Sequence, residues 1–135
     1  MRYLLDTDIC IYIIKKKPES VFDKFRRCSI GDIGISSITY SELCFGVYKS
    51  QNVDKNLGAL EGFVAPLEIA PYDETVCHYY GQVRCSLEKI GKPIGPLDML
   101  IASHALSLGV TLVSNNIKEF DRIEGLNVEN WTQLL

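Results

Sequence analysis

The sequence predicts an α/β fold: one domain around a central, mostly parallel sheet of four to five strands flanked by helices. Three observations carry this expectation. Short apolar runs alternate with longer amphipathic stretches, an order that sets helices on both faces of a parallel sheet. The chain has 135 residues, which suits one domain and buries roughly 68–70% of the unfolded surface without help from disulfides. No internal repeat, low-complexity segment or linker divides it, so the expected domain is residues 1–135.

Residues 2–5 read as a short buried strand. A helix over residues 8–16 follows, with Asp8 as its cap and the lysines from Lys15 onward closing it. Pro18 and Glu19 open a second helix to about Arg27, and Gly31 to Ser37 reads as the second strand. The next helix runs from Thr39 to about Lys49. Another covers Val53 to Val64, with Leu57, Leu60 and Val64 on one face, and Pro66 ends it. Leu67 to Ala70 is the third strand. Asp73 starts a long helix to about Ile90, striped by Val76, Tyr80, Val83 and Leu87. A loop over residues 91–96 leads into a helix from Leu97 to Leu108, stopped by Gly109. Val110 to Val113 is the fourth strand, Phe120 falls in a short irregular stretch, and Leu126 to Val128 is a candidate fifth strand.

Composition narrows the function classes. No apolar run approaches the roughly 18 residues of a membrane span. The N-terminal Met1-Arg2 passes directly into a strand, without the apolar core of a signal peptide. The five cysteines (Cys10, Cys28, Cys44, Cys77 and Cys85) are odd in number and lack a Cys-x-x-Cys pair, so they read as reduced, mostly buried thiols in a cytoplasm. Net charge is −3, which alone weighs against nucleic-acid binding. The positive charge is clustered, however: Lys15-Lys16-Lys17 with Lys24, Arg26 and Arg27, and Arg84 with Lys89 and Lys92. An acidic pocket inside a basic rim has this balance. Solvated helix ends, where cations complement the macrodipole, have it too.

Asp6, Glu42 and Asp98 stand where an apolar strand gives way to a helix, or where a helix begins. Ligands in open α/β sheets bind outside the carboxyl ends of the strands, and carboxylates gathered there hold a hard divalent cation. Each has a structural alternative. Asp6 ends a strand as a turn residue would, although Asp8 is the better cap and leaves Asp6 free. Glu42 closes the capping box Thr39-Tyr40-Ser41-Glu42. Asp98, two residues after Pro96, complements the dipole of a first helical turn. Thr7 is a candidate for orienting a carboxylate or a water. His104 reads as a core or helix-interface residue, and His78 has no partner at metal-ligand spacing.

With these residues in view, the chain resembles the PIN-domain ribonucleases, in particular the VapC toxins of toxin–antitoxin pairs. Four segments carry the resemblance, which covers essentially the whole sequence: Leu4-Leu5-Asp6-Thr7-Asp8; Ile35-Ser36-Ser37-Ile38-Thr39 with Glu42-Leu43; Ile94-Gly95-Pro96-Leu97-Asp98 with Ile101-Ala102; and Leu112-Val113-Ser114-Asn115-Asn116 with Glu119-Phe120 and Arg122-Ile123. It departs from the family pattern twice. Asp8 replaces a usual Asn, and Asn116 stands where many members carry a fourth Asp, a post that Glu119 or Asp121 could fill. Ser114 matches a small hydroxyl residue beside the site. The resemblance implies a PIN-like fold in which Asp6, Glu42 and Asp98 hold one or two Mg2+ or Mn2+ ions, with Thr7, Ser114, Asn116 and Glu119 as auxiliaries. It implies hydrolysis of structured RNA, tRNA foremost, by a metal-activated water, leaving a 5′-phosphate and a 3′-hydroxyl. It implies a cytoplasmic homodimer neutralised by a small antitoxin, for which Tyr40, Leu43, Phe45, Val47 and Tyr48 offer an apolar contact surface.

Two other functions fit parts of the sequence. Leu4-Leu5-Asp6-Thr7-Asp8 also suits a haloacid-dehalogenase-like phosphatase, with Asp6 as nucleophile and Asp8 as acid, but Ser114-Asn115-Asn116 lacks that fold's later acidic pair. Substituting Asp8 by Asn separates the two enzymes, because only the phosphatase needs Asp8. A catalytically silent PIN-like binding module is the other alternative, favoured by Asn116.

Overall fold

Five strands, every neighbouring pair parallel, form the sheet: β1 (Tyr3–Leu5), β2 (Ile33–Ser36), β3 (Glu68–Ala70), β4 (Thr111–Val113) and β5 (Val128–Glu129), in the spatial order β3-β2-β1-β4-β5. The computed structural model describes residues 1–132; residues 133–135, the end of the expected domain, lie outside the described residues. The chain builds outward from β1 to β3 on one side, then crosses over and adds β4 and β5 on the other. The order therefore reverses between β1 and β4, which is where open α/β sheets form their ligand crevice.

Among the described residues seven helices connect the strands: α1 (Thr7–Lys15), α2 (Glu19–Arg27), α3 (Ser37–Tyr48), α4 (Val53–Val64), α5 (Glu74–Lys89), α6 (Pro96–Leu108) and α7 (Ile117–Phe120). They cover both faces, as the alternation of apolar runs requires. On β1, Tyr3 and Leu5 enter a core shared with Ile9, Ile13, Ile35 and Leu60, while Leu4 enters a second core with Leu87, Ile101, Leu112 and Phe120. Successive strand residues face opposite ways, so this one short strand anchors α1–α4 on one side and α5–α7 on the other.

The elements differ from the sequence reading mainly at their starts. Helix α1 begins at Thr7 and its cap is Asp6, whose Oδ1 accepts the Ile9 amide at 3.0 Å; the expected cap, Asp8, lies inside the first turn. Helix α3 begins at Ser37, capped by Ser36, whose Oγ accepts the Ile38 amide at 3.1 Å. The expected capping box is therefore absent: Thr39 is inside the helix with its hydroxyl buried and unpaired, and Glu42 has no helix end to cap. Phe120 is the fully buried end of α7 rather than part of an irregular stretch, and β5 lies at Val128–Glu129. The cysteines are free as expected, but only Cys10 is buried, and Cys77 and Cys85 are exposed on α5. No helix among the described residues is long and apolar enough to cross a membrane.

Candidate active site

Asp6 sits at the carboxyl end of β1, 6% exposed, with its backbone amide donating to Val113 of β4 at 3.0 Å. It is thus fixed at the mouth of the switch-point crevice. The opposite wall is the end of β4. Ser114 is fully buried there; its amide donates to the Glu129 carbonyl and its hydroxyl accepts the Asn116 amide at 2.9 Å. Asp98 enters from the first turn of α6, where Pro96 occupies an early helical position and Gly95 is the cap. A Cβ on Gly95 would lie 3.6 Å from Asp98 Oδ2, so the carboxylate folds back over the start of its own helix. Glu119, on α7, accepts a hydrogen bond from Asn116 Nδ2 at 2.8 Å.

The electrostatics tie these groups together. Burial pushes the Asp6 carboxyl up from 3.8 to about 6; hydrogen bonds from Ser114 and the Ile9 amide pull it back, and the charges of Asp8 and Asp98 push it further up. Asp98 is also raised, first by burial, then by the charges of Glu119 and Asp8 and a hydrogen bond shared with Glu119, against a hydrogen bond from Asn116. Among the described residues no salt bridge engages either carboxyl. The ion pairs among the described residues are Arg2–Asp32, Asp23–Arg26 and Arg84–Glu88, all away from this crevice. Carboxylates held this close without a cation raise one another's proton affinity.

That charge, together with oxygen-only donors, fits a hard divalent cation such as Mg2+. As they stand, no three acidic, histidine or cysteine side chains among the described residues are near enough to grip one ion jointly. The fit therefore lies in the chemistry of the donors and their uncompensated charge.

The sequence-predicted residues divide into two groups. Asp6, Asp98, Ser114, Asn116 and Glu119 gather at the crevice, and Thr7 is the half-buried first residue of α1 beside it. Glu42 stands apart from that group. It is half-buried on α3 and lines a groove of about 370 Å³ between α1, α3 and α4, with Lys15, Leu43 and Asn56 among its neighbours. Of the apolar residues expected to face a partner, Leu43 and Val47 are core, Tyr40 is half-buried, and Phe45 and Tyr48 are 61% and 64% exposed. Tyr12 was not singled out by the sequence. Its hydroxyl accepts from Asn115 Nδ2 at 3.0 Å, joining α1 to the loop after β4. Its one sequence signal is its place a helical turn after Asp8.

Comparison with known proteins agrees with this geometry. Residues 3–126 match the PIN domain family. The tRNA(fMet)-specific endonuclease VapC of Shigella flexneri is 43% identical over 98% of this chain and 99% of its own. Ribonuclease VapC2 of Rickettsia felis is 46% identical over 97% of this chain and 98% of its own. Among solved structures, a chain of VapBC2 from Rickettsia felis bound to a promoter DNA fragment superposes with a TM-score of 0.90 at 45% identity, covering 97% of this chain and 99% of that one. A chain of DNA-bound VapBC from Salmonella typhimurium superposes with a TM-score of 0.91 at 42% identity, covering 97% and 98%.

Proposed function

This chain belongs to the PIN-domain family, and from that premise we propose that it is a metal-dependent endoribonuclease, the toxin of a toxin–antitoxin pair, formed as a single domain over residues 1–135. The observation that carries the proposal is the concentration of unneutralised carboxylates at the reversal of the sheet, with Asp6 and Asp98 at its centre. Family membership leaves the phosphatase alternative without support.

Asp6, Asp98 and Glu42 are the residues proposed to hold Mg2+, with Mn2+ as a substitute, and Glu119 stands ready to complete the set. When bound, such an ion lowers the pKa of a coordinated water and offsets the charge of the phosphodiester. The protein's own residues supply position. The amide of Ile9 and the side chain of Ser114 hold the Asp6 carboxylate, and Asn116 holds Glu119 through one amide hydrogen bond. In this role Asn116 orients an acid, which accounts for an amide at a position where many members carry Asp. No side-chain nucleophile is required.

Substrate and partners follow by kinship. The relative from Shigella flexneri is named for cleavage of tRNA(fMet), which supports a tRNA substrate held at its backbone by the clustered lysines and arginines. The VapBC complexes support a small antitoxin partner, and Phe45 and Tyr48 are the exposed apolar residues offered to it. A cytoplasmic homodimer completes the proposal. The test is cleavage of a tRNA pool by wild type, Asp6→Asn and Asp98→Asn, with Mg2+ and with EDTA. Cleavage by wild type in Mg2+ alone is expected. Cleavage that persists in EDTA, or variants that both cleave as fast as wild type, sinks the reading.

A further inference from the structure

His104 is fully buried on α6, the helix whose first turn carries Asp98. Its Nδ1 lies 2.7 Å from Ser36 Oγ, across 68 residues of sequence. Ser36 is the cap of α3. The next residue, Ser37, accepts the Tyr72 amide on its Oγ at 3.0 Å, and the Tyr72 ring meets His104 edge-on, with centroids 5.6 Å apart. Two hydroxyls at the start of α3 are therefore fastened to α6 and to the segment after β3. A hydroxyl at a helix start needs only the helix amide to serve as a cap, so capping does not explain why a buried imidazole is spent on Ser36.

The proton positions follow from counting partners. Ser36 Oγ already accepts the Ile38 amide, and His104 Nε2 has no partner. If the Ser36 hydroxyl donates to Nδ1, the Nε2 proton alone is unmet. If Nδ1 carries the proton instead, both the Ser36 hydroxyl and the Nε2 lone pair are unmet. The first arrangement leaves fewer buried groups unsatisfied, so Ser36 donates to Nδ1 and Nε2 carries the proton.

We propose that His104 is a positioning residue for the nuclease site: through Ser36 it fixes the start of α3, and with it Glu42, relative to the helix that carries Asp98. The role of Glu42 and Asp98 in that sentence rests on the proposed nuclease function. The link itself does not, and the two are tested apart.

His104→Phe keeps the buried ring and removes the hydrogen bond. Its kcat for tRNA cleavage is expected to fall about tenfold or more, because small displacements of catalytic groups are costly, with KM changed less than twofold. Amide exchange over residues 38–43 is expected to speed up while that of α5 stays at the wild-type rate. His104→Asn, which returns a polar group near the Nδ1 position, recovers much of both losses. Ser36→Ala combined with His104→Phe is no slower than the worse single variant. In the wild type, 15N NMR of the His104 ring shows Nε2 protonated and Nδ1 bare. Should His104→Phe not fold, His104→Leu against His104→Asn provides the same contrast. Wild-type exchange over residues 38–43 in the variant overturns the proposal, and so does a double-variant loss equal to the product of the single losses. A wild-type chain that cuts no RNA overturns the nuclease reading instead, and the exchange and NMR measurements then decide the link alone.

Discussion

Asp6 performs two jobs at once, and the pair of substitutions that separates them is available. It caps α1, and it lies buried among other acids. Asn caps helices as well as Asp does, whereas Ala does not. Asp6→Asn should therefore lose RNA cleavage by about 100-fold or more yet keep its helix. Asp6→Ala should lose the same activity and melt below Asp6→Asn, by about 1 kcal/mol in a denaturant titration. Equal stability of the two would show that the cap contributes nothing. Thr39 presents the opposite case: its buried hydroxyl has no partner. Thr39→Val removes an unmet polar atom at similar volume and should stabilise by about 1 kcal/mol, read from the same titrations. At this scale the sequence was informative about residue type and misleading about role. Asp6 looked free of structural work and has it, while Glu42 looked like a capping-box acid and is not one. Asp6 and Asp8 are two residues apart, and Ser36, Ser37 and Thr39 are clustered, so several good caps compete locally. Where the strand ends decides among them, and that end is set by pairing with distant strands.

At the scale of elements, helices α4, α5 and α6 were legible almost to the residue. The apolar stripes of α4 and α5 have helical spacing, α6 is a largely apolar run, and each has a clear stop or start: Pro66 after α4, Asp73 before α5, Gly109 after α6. Strand limits were less legible, because a run buried on both faces carries no alternation to mark its ends. The strand pairing also contains a constraint that no pattern announces. Gly34 pairs with Glu68, and a Cβ on Gly34 would lie 2.9 Å from the Glu68 carbonyl oxygen and 2.6 Å from Met1 Cε. The methionine end can turn aside, but the carbonyl belongs to the partner strand. Gly34→Ala should therefore push β3 off β2, costing about 1–3 kcal/mol, with faster amide exchange in β3 than in β4. Equal exchange in the two strands would show that the sheet absorbs the methyl group without moving.

At the scale of the whole molecule, the crevice makes stability depend on pH, and the proposed ion would add to that dependence. The Asp6 carboxyl titrates at about 6 in the folded protein against 3.8 ordinarily. The folded state then holds a proton that the unfolded chain releases, so stability present below about pH 4 is lost as pH rises through 6. The full effect is about 3 kcal/mol at most. His104 acts in the other direction: burial lowers its pKa below 6.5, so acidification through 6.5 favours the unfolded chain. The difference between wild type and Asp6→Asn isolates the Asp6 contribution. In EDTA, Asp6→Asn should gain on wild type between pH 4 and pH 7, and Mg2+ should then raise the melting temperature of wild type alone. A flat difference across that range would place Asp6 in an unstrained, solvated site.

By itself the sequence determined the fold class, the succession of elements and the three acids worth testing. Those depend on local composition, apolar periodicity and residue type, all of which are written along the chain. Only the tertiary structure decided which groups share a field. It brought Asp6, Asp98, Asn116 and Glu119 to one crevice, set Glu42 on a groove between α1, α3 and α4, and joined His104 to Ser36 across the core. The reason is that strand order is a long-range property: the reversal between β1 and β4 juxtaposes residues more than a hundred positions apart, and no local pattern encodes that meeting.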